Sequence, residues 1–522
     1  MSGLFDDLAR AKRKNPESVM LSYFGSSITY GKCYELVERV SGLLSRFAGK
    51  GDVIALDMQN IPQFVISELA AFRIGAIVLP LNPMLTSREL EFYLKDSDAK
   101  VVVSQGEYFL RMAEAIQAIG RTIPQIRTDA QAIEELPAEW QRKWNLGRHE
   151  EQLLLPNDLP VREESVSEQD VALLVYTSGT TSGPKAAAIT HGNLNAASEI
   201  YHRWFGVRDS DRFLGIAPFF HITGLVFHIA TSIKANSTLE CVYRFSPELA
   251  LQIIEESRST LTMGVATVYR ALLNTTTIRH ADLSSMRLWS SGGMAVSKAL
   301  ELEWRNVTGS WIYVAWGLTE TTSPATLWPY PYTGELPVYP ESEVVSSGIP
   351  VYDTRLRILD ESGDEVRSGE GEILVAGKQV IHKYWNNPAA TSSLIKGEWL
   401  RTGDIGTIRE GWVYVIDRLK DVINASGYKV WPREIEEILL QHPSVEEVAV
   451  IGVPDSYRGE SVKAFIKLRP GNQPARGLSE ELAAYCKDRL AAYKVPRAIE
   501  FVKEVPKTAT GKIMKRALRL GK

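Results

Sequence analysis

The sequence predicts an α/β protein: a large domain of helix-covered, largely parallel sheets, followed by a small α+β domain. Three observations carry this. The chain has 522 residues, too many for one hydrophobic core. From Thr29 onward, short apolar runs alternate with segments of helical period. Near residue 417 the texture becomes polar and turn-rich, and the remaining residues carry strands and helices of their own.

Taken in order, "TYGKCYELVERVSGLLSRF" has a cap at Thr29 and apolar residues at Leu36, Val37, Val40, Leu43 and Leu44, so it predicts a helix. "DVIALDM" predicts a strand. "PQFVISELAAFRIG" opens on a proline suited to a first helical turn and stops at Gly75. "AIVLPL", "SRELEFYLKDS" and "KVVVS" continue as strand, helix and strand. Repeated strand–helix–strand units predict a parallel sheet with right-handed crossovers. Residues 104–170 are polar and yield no assignment, whereas "DVALLVY" is an apolar strand. The Pro- and Tyr-rich segment 323–350 is loop-like, and "TRLRIL", "GEILVAG" and "GWVYVID" predict antiparallel strands. Beyond the junction, "PREIEEILLQHP" is a short helix and "EEVAVIGVPD" and "ESVKAFIKL" are strands. "SEELAAYCKDRLAAY" is a helix capped by Ser479, with Glu480 and Glu481 in its first turn. The boundary falls at 417–421, giving domains 1–417 and 418–522.

Composition narrows the function. With 59 basic and 63 acidic residues the net charge is −4, so nothing draws the whole molecule to nucleic acid or an anionic membrane. Cys33, Cys241 and Cys486 are far apart and odd in number, which predicts no disulfide framework or zinc knuckle and fits a reducing compartment. The N-terminal stretch has no apolar signal region, no run suffices for a transmembrane segment, and "RLGK" is no lipidation or peroxisomal tail. The expectation is cytoplasmic.

The chemistry begins at "LLVYTSGTTSGPKAAAITHGN", residues 173–193. A strand runs into a loop where Gly179 and Gly183 let backbone N–H groups converge on an anion. Thr177, Ser178, Thr180, Thr181 and Ser182 add hydroxyl donors, and Lys185 adds a point charge. It is not a Walker A loop, because Pro184 separates Gly183 from Lys185 and Ala186 follows. Alone, the stretch is also compatible with a Ser/Thr-rich surface turn.

Five further stretches decide between these readings. "PFFH" (218–221), "WGLTE" (316–320), "RTGD" (401–404), "DRLKDVINASGYKVWPREIE" (417–436) and "PKTATGK" (506–512) follow "YTSGTTSGPK" (176–185). In this order the six resemble the motifs of the adenylate-forming superfamily of acyl-CoA synthetases, luciferases and peptide-synthetase adenylation domains.

The resemblance implies a β-barrel-like subdomain in the large domain and a mobile C-terminal domain. It also implies roles. Residues 177–185 would cradle the β- and γ-phosphates of ATP. Glu320 would bind Mg²⁺, helped by Thr180, since Mg²⁺ prefers oxygen ligands. Asp404 would take the two ribose hydroxyls and Arg418 would approach the ribose or phosphate. Trp316, Gly317 and Thr319, with Gly292 and Gly293 of "SSGGM", would surround the adenine end. Lys512 would stabilise the charge developing between carboxylate and α-phosphate, and Gly511 would let the backbone approach closely. His221 would lie between the acyl pocket and the path of the thiol. Lys420 would be the hinge about which the small domain turns, presenting Gly427 to the pantetheine arm of coenzyme A.

The chain departs from the family pattern at Ser182 and Ala186, where glycines are usual, at Trp316, where tyrosine is usual, and at "GGMAV" (292–296). None of these removes a charged catalytic group. The implied activity is that of an ATP-dependent acyl-CoA ligase acting through acyl-AMP, with ATP, Mg²⁺ and coenzyme A as co-reactants. The apolar segment "PFFHITGLVFHIATSI" predicts a small-molecule monocarboxylic acid with an apolar tail, a medium- or long-chain fatty acid or an aryl acid. Alternatives are a stand-alone adenylation enzyme loading a carrier protein, a luciferase-like oxygenase and a non-enzymatic binding module. His221, where an acid would pair an amino-acid ammonium, opposes the first; Asn424, where beetle luciferases have lysine, opposes the second; retained Glu320, Asp404 and Lys512 oppose the third. No nucleic-acid partner is expected, and a homodimer is left open.

Overall fold

A computed structural model describes residues 3–129, 164–177, 184–366, 369–425, 428–455, 458–475, 477–508 and 511–519. Its body is two helix-covered sheets. In the first, six strands run in the order Gln125–Thr128, Val101–Gln105, Val53–Asp57, Ile77–Pro80, Val171–Thr177 and Lys185–Thr190. All neighbours are parallel except the last pair. The crossover helices start and stop where the sequence places their signals. Thr29 accepts the Lys32 N–H ahead of Tyr30–Leu44, Pro62 opens Pro62–Arg73, and Thr86 and Glu89 form a capping box for Ser87–Ser97. Gly75 ends its crossover with φ +70°, in the left-handed region.

The second sheet has nine strands: Ile349–Pro350, Thr326–Leu327, Ile312–Trp316, Leu288–Gly292, Leu261–Gly264, Arg212–Gly215, Thr238–Cys241, Val19–Tyr23 and Ser26–Thr29. Its centre is parallel and its edges antiparallel. Helix Phe109–Ala118 and strand Gln125–Thr128 fall in the stretch the sequence left unassigned, whose residues 130–163 lie outside the described residues.

A third, antiparallel sheet of five strands follows: Arg355–Leu359, Gly371–Ala376, Trp399–Arg409 and Ile395–Lys396, with Trp412–Arg418 on the third. Strand Trp399–Arg409 has no counterpart in the sequence reading. Gly403 sits in it at φ +69°, and the ladder shifts register beside it, so no clean alternation marks it.

From Ile423 the chain builds a core of its own around Ile435, Leu439, Val450, Ile466 and Leu482. Strands Tyr428–Val430, Ile423–Ala425, Gly459–Leu468 and Val445–Asp455 form its antiparallel sheet, with Ala498–Phe501 parallel on Gly459–Leu468. Helix Leu478–Lys487 corrects one expectation. Its N-cap is Gly477, at φ +96° with no side-chain cap, and Ser479 lies inside the first turn. Glu480 and Glu481 hold their expected places near the positive end of the helix. Among the described residues, no helix is long and apolar enough to cross a membrane.

Candidate active site

Strands Val171–Thr177, Leu288–Gly292 and Ile312–Trp316 all end at one cavity of about 920 Å³. This is the crevice outside the carboxyl ends of parallel strands, where α/β sheets hold ligands. The third sheet, the C-terminal unit and residues 220–223 add to its wall.

At one end, Thr177 and Lys185 face each other across the antiparallel pair, and the Thr177 hydroxyl lies 3.5 Å from the Lys185 carbonyl oxygen. The loop they carry, with Ser178, Gly179, Thr180, Thr181, Ser182 and Gly183, lies outside the described residues. The Lys185 ammonium stands 6.0 Å from the centroid of the Tyr384 ring.

Glu320 sits in a short 3₁₀ turn, Thr319–Thr321, just past strand Ile312–Trp316. The turn needs Gly317, because a Cβ there would lie 1.6 Å from the Ser323 carbonyl oxygen. The Leu318 N–H donates to the Thr321 hydroxyl at 2.8 Å and fixes the start of the turn. The Tyr384 hydroxyl donates to Glu320 Oε1 at 2.7 Å.

Asp404 is buried and faces Arg418 across the third sheet. Its Oδ2 accepts the Trp316 indole N–H at 2.9 Å, and its Oδ1 lies 3.0 Å from Arg418 Nε. Trp316, where the family usually has tyrosine, thus grips the carboxylate expected to hold ribose. Asp404, before any other group, raises the basicity of Arg418.

Lys512 enters from the C-terminal unit on a tight turn: the Thr508 N–H donates to the Lys512 carbonyl at 2.7 Å, and the Lys512 N–H to the Thr508 hydroxyl at 3.2 Å. Gly511 has φ +81°, and a Cβ on it would lie 2.7 Å from Thr267 Oγ1 on the large unit, so the approach requires glycine. The Lys512 side chain then runs over Gly293, where a Cβ would meet its Cε at 2.9 Å. Loss of water in the cleft, followed by repulsion from Arg418, brings its pKa down to about 8, while Glu320 and Asp404 pull the other way.

His221 also lines the cleft; its Nδ1 accepts the Thr223 N–H at 3.3 Å. Burial and then the Lys512 charge depress its pKa to about 3, so the ring is neutral near pH 7. Gly292 and Thr319 line the same cavity. Lys420 lies exposed in the 3₁₀ turn Leu419–Asp421 at the cavity rim, its pKa lowered by desolvation and by Arg418. Gly427 lies outside the described residues.

The fold thus gathers Lys185, His221, Gly293, Trp316, Glu320, Asp404, Arg418 and Lys512 from far-separated stretches around one cavity. Among the described residues, no cluster of three His, Cys, Asp or Glu side chains could cage a metal ion. A single carboxylate, Glu320, in a cleft of this size fits Mg²⁺, which keeps its waters and binds through one or two carboxylates and substrate phosphates. The sequence reading missed Tyr384, beside Trp385 in the loop "HKYWNNP", and gave no role to Asp417, the first residue of the motif at 417–436.

Comparison with known proteins identifies the family and the fold. The profile of the AMP-binding enzyme family matches residues 8–385, and that of the AMP-binding enzyme C-terminal domain matches 434–512. A long-chain-fatty-acid–CoA ligase of Bacillus subtilis (strain 168) is 34% identical, over 96% of this chain and 91% of its own. A feruloyl-CoA synthase of an Amycolatopsis species is 33% identical, over 98% and 97%. ATP-bound MatB from Rhodopseudomonas palustris superposes with a TM-score of 0.85 at 26% identity, over 100% of this chain and 99% of its own. The apo form of that protein, covering 99% and 98%, superposes at 0.75.

Proposed function

The chain belongs to the AMP-binding enzyme family, and we propose that this cleft makes an acyl-AMP from a carboxylic acid and ATP, then passes the acyl group to coenzyme A. The enzyme is an AMP-forming acid–thiol ligase, with ATP, Mg²⁺ and coenzyme A as its co-reactants. The observation that carries the residue-level reading is the convergence of Lys512 with Glu320, Asp404 and Arg418 in one cavity.

In the first step a carboxylate oxygen attacks the α-phosphorus and the bond to pyrophosphate breaks. Charge repulsion and alignment are the obstacles. Asp404 and Trp316 hold the ribose end, and the loop from Thr177 to Lys185 holds the phosphates that leave. Lys512 stands over Gly293 and faces the negative charge that builds between carboxylate and α-phosphate. When bound at Glu320, Mg²⁺ neutralises charge on the phosphate oxygens. In the second step the thiol sulfur attacks the acyl carbon and AMP leaves. For this, residues 418–522 turn about 417–421 relative to 1–417, withdrawing Lys512 and presenting Gly427. The better match to ATP-bound than to apo MatB supports reading the present arrangement as the first of two.

The acid is an apolar monocarboxylate. Phe220, Ile222, Val296 and Val314 line the cleft beside a neutral His221 and offer a second carboxylate no cation. The names of the two relatives span the alternatives, a long alkyl chain and a substituted aryl acid. Three buried, unpaired cysteines fit a reducing, cytoplasmic setting. The test is pyrophosphate release with a panel of fatty, aryl and amino acids, with and without coenzyme A. Release with fatty or aryl acids, followed by thioester formation when coenzyme A is added, is expected. Release with amino acids alone defeats the reading.

A further inference from the structure

The segment from Gln379 to Asn387 joins the third sheet to helix Pro388–Leu394 and crosses the phosphate end of the cleft on its way. One side of it is tied to the Glu320 turn: the Ile381 N–H donates to the Glu320 carbonyl at 2.9 Å, and the Thr322 hydroxyl to the Gln379 carbonyl at 2.7 Å. Its other side is tied to the strand that begins at Lys185. The Trp385 N–H donates to the Ala186 carbonyl at 2.8 Å, the Ala188 N–H to the Lys383 carbonyl at 3.2 Å, and Tyr384 bridges Ala187. One stretch of backbone therefore sets the distance between the two ends of the phosphate site.

Tyr384 stands in the middle of that stretch. It is buried, its N–H donates to the Thr391 hydroxyl at 3.0 Å, and its own hydroxyl reaches Glu320. In this pair the phenol O–H is the donor and the Glu320 oxygen the acceptor. A neutral donor on Oε1 occupies one oxygen of Glu320 and leaves the other free to accept. It also restrains a carboxylate that Arg418 attracts electrostatically.

We propose that Tyr384 is a positioning residue: its hydroxyl holds the Glu320 carboxylate in the orientation that binds Mg²⁺ at the phosphates, on a segment that keeps Glu320 in register with Lys185. This rests on the reading of Glu320 as the metal ligand. Partners of this kind, one shell out from a metal, typically change metal affinity or activity about 10- to 100-fold when removed. A buried tyrosine that merely satisfies its hydroxyl would not change metal affinity.

The full-length enzyme is compared with Tyr384→Phe, which keeps the ring, and with Glu320→Gln. Mn²⁺ binding in the presence of ATP is measured by the electron paramagnetic resonance of free Mn²⁺. ATP–pyrophosphate exchange is followed against Mg²⁺ concentration, and thioester formation is followed from supplied acyl-AMP. Tyr384→Phe is expected to weaken Mn²⁺ binding about 10-fold. Exchange should recover at high Mg²⁺, and the thioester step should be unaltered. Unchanged Mn²⁺ binding in Tyr384→Phe beside weakened binding in Glu320→Gln overturns the role of Tyr384 alone. Unchanged binding in Glu320→Gln removes the metal reading and this proposal together. Equal loss of both half-reactions in Tyr384→Phe makes the residue structural and overturns the proposal.

Discussion

Lys512 has a pKa of about 8 through desolvation and the charge of Arg418, well below the usual lysine value. Its ammonium is complete below that pH and is lost as pH rises through it. Because kcat/KM reports ionisations of the free enzyme, kcat/KM for ATP–pyrophosphate exchange should bend downward near pH 8 and then fall about tenfold per pH unit. In Lys512→Arg the charge persists, so the bend near 8 should disappear even if the rate is lower. Lys512→Ala should abolish acyl-AMP formation and spare the thioester made from supplied acyl-AMP. Equal loss of both would contradict the two-orientation mechanism. His221, at about 3, carries no charge across this range and should add no limb of its own.

At the level of elements, helix Pro432–Leu440 begins with Pro432 at its first position and has no cap from its own N-cap residue, Trp431. The missing acceptor comes from Asp417, at the end of strand Trp412–Arg418, which takes the Arg433 N–H at 2.8 Å and the Arg418 N–H at 2.7 Å. Asp417→Ala should destabilise the C-terminal unit by about 1 kcal/mol, the usual cost of a lost cap, and Asp417→Asn by less. Chemical denaturation followed by a probe in that unit checks this. An unchanged midpoint would show the cap to be dispensable. Signals written beside their helix were legible in the sequence, as the Thr29 cap and the Pro62 start were, because proline, glycine and hydroxyl residues act locally. A cap brought from across the hinge was not. Strand Trp399–Arg409 was hidden by its own turn glycine, and the start of Leu478–Lys487 was misplaced because Ser479 resembled a cap while Gly477 occupied the position. The same division holds in the site. Glu320, Asp404 and Lys512 stand in recurring motifs, whereas the link between Glu320 and Tyr384 exists only once two distant loops are folded together.

At the scale of the whole molecule, the two units meet through scattered polar contacts. The Lys298 N–H lies 3.3 Å from Glu437, Asn274 lies 3.2 Å from Glu446, and Arg469 lies 3.4 Å from Glu303. Such a junction suits the movement proposed between the two half-reactions. Lys420→Pro fixes φ in the turn Leu419–Asp421 and should leave pyrophosphate exchange intact while slowing thioester formation. An unchanged thioester rate would remove Lys420 from the hinge. The two cations that meet in the cleft, Arg418 and Lys512, oppose one another, while Glu320 and Asp404 act in the other direction on Lys512. A bound triphosphate would add negative charge that favours their sitting together. When pyrophosphate departs, it carries most of that charge away, and the mutual repulsion of the two side chains returns. On the proposed two-step mechanism, loss of the by-product would then favour release of the small unit, and the order of the two reactions would follow from electrostatics rather than from a separate signal.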